Sequence, residues 1–357
     1  MEVYRILIIR KKWLMIAIFL LLLLLGGILY IKSELQPPDT GNRTIILEIP
    51  KGSTTYTISH ILRDKGLIKN AAVFRWWVYM RGDYGKLQAG MYEMKQGMSV
   101  DGILDILTKG EAKDNTVRFT VPEGFTLEQI ADLLAKKGLA NKETFIRVAD
   151  SDSFDVPFLK EIPKTAGVKH RLEGYLFPDT YEIYKGTSEH EIIELMLKNF
   201  DTRLTPEMRA EIGKRGMTIP QVVTVASLVE REARVPKERP VIAGVIYNRL
   251  HSQPPMMLQV DATVQYVLGH KDELSLQDLQ IDSPYNTYKH FGLPPGPIAS
   301  PGLDSLRAAI EPDHNDYLFY VTKKDGSGEH YFAKTYDEQL QNEKRSEQNE
   351  QNVSARK

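Results

Sequence analysis

The first pattern along the chain is an apolar run from Trp13 to Ile31, preceded by Arg5, Arg10, Lys11 and Lys12 and followed closely only by Lys32. At about 1.5 Å per residue a helix of that length matches about 30 Å of hydrocarbon, so a single N-terminal transmembrane helix is predicted over 13–31. The basic excess keeps residues 1–12 in the cytoplasm and sends the remainder across. No Ala-x-Ala-like site follows the run, so a retained anchor in the cell membrane is expected rather than a cleaved signal. Residues 32–43, with Pro37, Pro38, Gly41 and Asn42, read as a linker.

Beyond the linker the period changes. Thr44–Ile49 and Thr116–Val121 are short apolar strands, each followed by a Pro-x-Gly turn, apolar residues three and four apart, and a Gly stop. The two passages repeat: Pro50, Gly52, Thr54, Ile58, Leu62, Lys65, Gly66 and Leu67 recur 72 residues later as Pro122, Gly124, Thr126, Ile130, Leu134, Lys137, Gly138 and Leu139. A weaker echo follows Gly97, over Ser99–Leu107. Such a repeat predicts one strand–turn–helix module used more than once, here assigned to a unit over 44–140. Helices are predicted over 189–200, 206–214, 220–234 and 238–250, the third opened by Thr218 as cap with Pro220 in its first turn. The fold class is therefore α+β, with a mixed catalytic domain over 141–340. Residues 341–357 are Glu, Gln, Asn, Lys and Arg with almost nothing apolar, the composition of a disordered polar tail.

Charge and composition narrow the chemistry. The chain has 46 basic and 47 acidic residues, and the part after residue 32 retains 41 basic against 46 acidic, so no nucleic-acid partner is expected. With no cysteine it forms no disulfide. The eight histidines show no His-Glu-x-x-His spacing, and there is no Gly-x-Ser-x-Gly elbow or phosphate-cradling glycine loop, so neither a metal nor a cofactor is predicted. The one Ser-x-x-Lys, Ser354 to Lys357, falls in the tail.

Carboxylates on the 220–234 helix are the candidate chemistry, in Ala226-Ser227-Leu228-Val229-Glu230-Arg231-Glu232-Ala233. An acid at the edge of an apolar face loses hydration, and its pKa is expected to rise toward the range of a general acid. On a wheel centred on Val222, Ala226 and Val229, Glu230 lies roughly 70° to one side and Glu232 roughly 90° to the other. The two acids cannot enter one pocket, and the wheel does not choose between them. Asp261 is the nearest candidate for a second carboxylate. Glu173 and Tyr175, in a stretch where acids and aromatics interleave, suit a groove wall for a polar ring-shaped ligand, although aromatic clusters also build cores. Gln259, Thr263, Tyr285, Asn286 and Thr287 stand on proline-bearing loops, which either preorganise hydrogen bonds to a saccharide or are ordinary ordered loops.

The strand–turn–helix modules resemble LysM domains, which bind glycan strands rich in N-acetylglucosamine. The ordered motifs Glu173-Gly174-Tyr175-Leu176-Phe177-Pro178-Asp179-Thr180-Tyr181, Ala226 to Glu232, Leu258-Gln259-x-Asp261-x-Thr263, Ser283-Pro284-Tyr285-Asn286-Thr287-Tyr288 and Gly292-Leu293-Pro294-Pro295-Gly296-Pro297-Ile298 resemble the endolytic murein transglycosylases of the YceG-like family over about 44–337. The departure is Val260, where the family more often has a small hydroxylated residue. The resemblance implies endolytic cleavage of the β-1,4 bond between N-acetylmuramic acid and N-acetylglucosamine in nascent strands, peptidoglycan and cell-wall synthases as partners, and Glu230 as the catalytic acid with Glu232 as supporting structure. In the mechanism expected from it, Glu230 protonates the glycosidic oxygen and then takes the proton of the muramyl C6 hydroxyl, which closes onto C1 as a 1,6-anhydro ring. Two rivals are a hydrolytic muramidase using Glu230 with Asp261, and a non-enzymatic glycan-binding anchor for synthases.

Overall fold

The computed structural model describes residues 19–355 except 39–40, 42, 111–115, 152, 163–166 and 272. The chain forms two compact units, Met1–Thr116 and Val117–Lys357. Part of the predicted membrane helix, 13–18, and all of the cytoplasmic segment 1–12 lie outside the described residues. Within them the apolar run is helical over 19–34, where Lys32 and Glu34 already interrupt it. Among the described residues no helix is long and apolar enough to cross a membrane, which corrects the expectation of a transmembrane helix. Sixteen residues of helix span only about 24 Å.

In the first unit, strand β1 (Thr44–Ile49) is followed by helices α1 (Thr55–Asp64) and α2 (Ala71–Met80), strand β2 (Gly90–Lys95) and helix α3 (Val100–Lys109). The strands pair antiparallel from Thr44 opposite Lys95 to Ile49 opposite Gly90. Leu47, Ile49, Ile58, Leu62, Phe74, Tyr92, Ile103 and Leu107 form its core.

The second unit contains β3 (Thr116–Thr120), α4 (Leu127–Lys136), α5 (Lys142–Ser151), β4 (Thr180–Tyr184), α6 (Glu189–Arg203), α7 (Pro206–Lys214), α8 (Ile219–Glu232), α9 (Arg239–Leu250), α10 (Asp261–Leu268), α11 (Leu303–Ile310), β5 (Phe319–Thr322), β6 (His330–Ala333) and α12 (Tyr336–Ser354). Helix α8 is its axis. Thr218 and Gln221 form a capping box at its start, every residue from Val222 to Val229 is buried, and α9, α10 and α11 pack on it.

The internal repeat is real at atomic detail. Thr54 caps α1 and Thr126 caps α4 through their side chains. Gly66 and Gly138 end the two helices at φ +70° and +66°, with Leu67 N–H donating to Leu62 O and Leu139 N–H to Leu134 O, each at 2.9 Å. The 44–140 grouping, however, does not hold as one unit. β3 pairs with β4, and Leu127, Ile130, Ala131 and Leu134 of α4 join Phe145 and Tyr175 in the second core. The second copy therefore belongs with the catalytic motifs, and a single LysM-like unit built from both copies is not supported.

The polar tail also differs from expectation. α12 starts at a Thr335/Glu338 capping box. Its amides and hydroxyl donate to carbonyls around the β5–β6 hairpin: Asn342 to Phe332 O at 3.3 Å, Ser346 to Thr322 O at 2.7 Å and Asn349 to Lys323 O at 2.8 Å. Polar residues suffice here because the hairpin offers backbone acceptors rather than apolar surface.

Candidate active site

The loop Gly292–Gly302 runs along α8 and is fastened to it and to the second-copy turn at alternate residues. Ile298 N–H donates to Ser227 Oγ at 3.1 Å, Ser300 and the turn exchange bonds with Phe125 O and Gly124 N–H at 2.8 Å each, and Gly302 N–H donates to Glu230 Oε2 at 2.9 Å. Glu230's other oxygen accepts from Arg239 at 3.2 Å, and its side chain is 6% exposed. Arg239 also donates to Ser305 Oγ at 3.0 Å and lies 3.8 Å from Glu123. Burial, and then the charge of Glu230, raises the carboxyl of Glu123 above its ordinary value. Both oxygens of Glu230 thus accept hydrogen bonds, and it joins the end of α8 to the starts of α9 and α11.

Glu232 leaves the opposite side of α8, as the wheel requires, and meets a different set of groups. It is half-buried, and its Oε2 accepts from the Tyr320 hydroxyl of β5 at 2.9 Å. Burial pushes its carboxyl up, against the Tyr320 hydrogen bond, and the charge of Asp261 adds to the rise. Asp261, exposed at the start of α10, accepts a hydrogen bond from the Tyr288 hydroxyl. Burial and then Asp261 raise Tyr288 above the usual tyrosine value. Arg249 donates to Leu258 O and Leu318 O at 2.6 Å each, so that it ties β5 to the segment before Asp261. Burial lowers its pKa, and Tyr320, Tyr288 and Glu232 oppose that. Five segments thus converge on one acid.

Most of the predicted binding residues build this site from behind. Thr263 and Thr287 are buried, their hydroxyls 3.0 Å apart, and Thr287 Oγ1 accepts from Val260 N–H at 2.9 Å. Val260 makes that bond through its backbone while its side chain is buried, so the departure from the family pattern costs the turn nothing there. Asn286, fully buried, donates to Leu279 O and Ile281 O at 2.9 Å. Tyr285 packs on Tyr266, ring centroids 4.9 Å apart, and Tyr175 lies in core against Phe158 and Phe200. Glu173 is 1% exposed and accepts from Leu127 N–H at 2.9 Å and the Tyr266 hydroxyl at 3.0 Å. Burial pushes its carboxyl up to about 7. Only Gln259 and Asp261 of the predicted binding set are exposed, and Gln259 holds φ +50°, a left-handed conformation that a non-glycine residue adopts at a cost of about 1–3 kcal/mol. Tyr288, Tyr320 and Arg249 were not singled out by sequence. Tyr288 ends a recognised motif, but nothing local distinguishes Tyr320 in its strand or Arg249 in its helix.

Comparison with known proteins agrees with this architecture. A sequence model described as the YceG-like family matches residues 47–345. The chain is 40% identical over 323 residues to a Bacillus subtilis (strain 168) protein named endolytic murein transglycosylase, covering 88% of each. It is 33% identical over 352 residues to a Streptococcus pneumoniae (strain D39) protein of the same name, covering 91% of this chain and 63% of that one. Among solved structures, that of a YceG-like protein from Listeria monocytogenes superposes with a TM-score of 0.57 at 39% identity, covering 84% of this chain and 98% of the other.

Proposed function

The chain belongs to the YceG-like family, and from that premise we propose that it is an endolytic murein lytic transglycosylase whose acid is Glu232 rather than Glu230. The observation that carries the choice is the contrast in partners: both oxygens of Glu230 accept hydrogen bonds, from Arg239 and Gly302, whereas Glu232 accepts from the Tyr320 hydroxyl and has a raised pKa beside Asp261, Tyr288 and Arg249. A carboxyl whose pKa is raised by burial and by a neighbouring acid is a better proton donor, and delivers its proton to the glycosidic oxygen as the C1–O bond breaks. The carboxylate left behind is supported by the Tyr320 hydroxyl and takes the proton of the muramyl C6 hydroxyl, whose oxygen closes onto C1. The exposed Asp261 carboxylate adds negative charge where the sugar becomes positive.

Because the attacking hydroxyl is carried by the substrate, no second carboxylate need activate water. Asp261 favours a second reading, hydrolysis by a carboxylate pair, which leaves reducing ends instead. Murein lies outside the cytoplasm, so the catalytic unit is assigned there, and a cut in nascent strands would end their elongation by synthases. For the first unit, glycan binding is supported by its exposed Trp76, Tyr79 and Tyr84.

The test is mass spectrometry of uncrosslinked glycan strands incubated with the purified protein, its Glu232→Gln variant and its Glu230→Gln variant. The reading expects new ends one water lighter than reducing ends, lost with Glu232→Gln. Reducing ends would establish hydrolysis, and full activity of Glu232→Gln would reject the assignment.

A further inference from the structure

A cavity of about 190 Å³ opens between α4, α8 and α10, on the side of Arg231 and Ala262, the residues next to Glu232 and Asp261 in sequence. Its volume is below the roughly 300–1,000 Å³ of a pocket that encloses a whole ligand, so it suits one branch of a larger molecule. Its wall carries the cations Arg231 and Lys169, the carboxylate of Glu128, and the side chains of Gln129, Gln265, Tyr266 and His270. Lys169 Nζ sits 5.1 Å from the Tyr266 ring centroid and 2.9 Å from Glu128, whose other neighbour is His170 at 3.2 Å. Arg231 is exposed, and its guanidinium makes a 3.4 Å hydrogen bond to Gly124 O. Lys169 is paired with Glu128, so the planar guanidinium of Arg231, with donors to spare, is the group that selects a carboxylate here.

We propose that this cavity binds an acidic peptide branch on the muramyl residue whose bond is broken, making Arg231 the specificity residue for peptide-bearing strands, with Lys169 sharing its charge with Glu128. The proposal rests on the murein reading above. In that substrate the peptide leaves through the lactyl ether on C3, two carbons from the C1 that faces Glu232. Gln265 of the cavity wall stands one turn after Asp261 on the same face of α10, which brings the cavity alongside Asp261. The walls are fixed rather than adaptable, because the single buried carboxylate of Glu173 ties the start of α4, through Leu127 N–H, to α10, through Tyr266.

The experiment compares kcat/KM for peptide-bearing strands and the same strands stripped of peptide by an amidase. It uses wild type, Arg231→Gln and the Arg231→Gln/Lys169→Gln pair. The wild-type protein is expected to prefer peptide-bearing strands about tenfold, and the ratio should fall toward one in the double variant, with Arg231→Lys retaining part of it. Equal rates in wild type, or an undiminished ratio in the double variant, overturn the proposal. If wild type cleaves neither substrate, the transglycosylase reading fails. The cavity is then judged by titrating the full chain with L-alanyl-γ-D-glutamyl-L-lysine and following the backbone amide resonances of Ala262 and Gln265. Saturable shifts abolished in the double variant support the binding site, and unmoved resonances reject it.

Discussion

Replacing Glu230 and Glu232 separately should divide stability from catalysis. Glu230→Ala removes the acceptor for both Gly302 N–H, the cap residue of α11, and the 13% exposed side chain of Arg239. Deleting one partner of a buried ion pair costs about 3–5 kcal/mol. Arg239 keeps Ser305 Oγ and a distant Glu123, so the lower end, about 3 kcal/mol, applies. For a unit of this size each kcal/mol lowers the melting temperature by about 2–4 °C, giving a fall of roughly 6–12 °C. Glu232→Gln keeps the shape of the side chain and removes a carboxyl whose anion burial and Asp261 disfavour, so its melting temperature should stay within about 3 °C of wild type or rise. Its kcat should drop by about 10²–10⁴, the usual contribution of a positioned acid. Scanning calorimetry and single-turnover cleavage at 20 °C, well below either transition, measure both quantities. If Glu230→Gln proved inactive at wild-type stability while Glu232→Gln cleaved normally, the roles argued from their hydrogen bonds would be reversed.

The pH profile gives a second check. Asp261 raises the carboxyl of Glu232, so the alkaline limb of kcat/KM, where the acid loses its proton, should move to lower pH in Asp261→Asn; an unmoved or upward-shifted limb would contradict the coupling. Glu173, with its folded value near 7 above an unfolded value of 4.5, opposes folding once the unfolded carboxyl ionises. Wild type should therefore lose about 3 kcal/mol between pH 4.5 and pH 7 at this group. Glu173→Gln should abolish that loss in denaturant titrations at several pH values, and parallel pH curves for the two proteins would refute it. Gly174 has φ +85°, and a Cβ there would lie 2.5 Å from Pro297 Cβ and 3.1 Å from Val223 Cγ1. Gly174→Ala should cost about 2–4 kcal/mol by urea unfolding, from backbone strain together with overpacking.

Local features were legible where they are decided locally. The Thr218 cap, the Gly66 and Gly138 stops and the opposed directions of Glu230 and Glu232 follow from spacing along one helix. What the chain hides is set by distant partners. Glu232 differs from Glu230 because a tyrosine 88 residues later bonds one, and a glycine backbone 72 residues later bonds the other. The second repeat copy left the expected unit because its strand pairs with β4, a choice no strand states in its own residues. The tail misled because composition was weighed for apolar burial, whereas α12 is held largely by amides on carbonyls. Thr263, Asn286 and Thr287 read as polar groups on rigid loops, but they are buried and bond within the fold, because their partners lie far along the chain or in backbone no local pattern marks.

The duplicated turn supplies an internal control within a single molecule. Pro50-Lys51-Gly52-Ser53-Thr54 and Pro122-Glu123-Gly124-Phe125-Thr126 share their bend and cap, yet only the second lies against Glu230 and Ser300. The positions at which they differ, Lys51 against Glu123 and Ser53 against Phe125, separate what a strand–turn–helix needs in order to exist from what was added when one copy became part of an enzyme. Transplanting those two residues between copies would ask how few changes turn a free-standing turn into one that packs against Glu230.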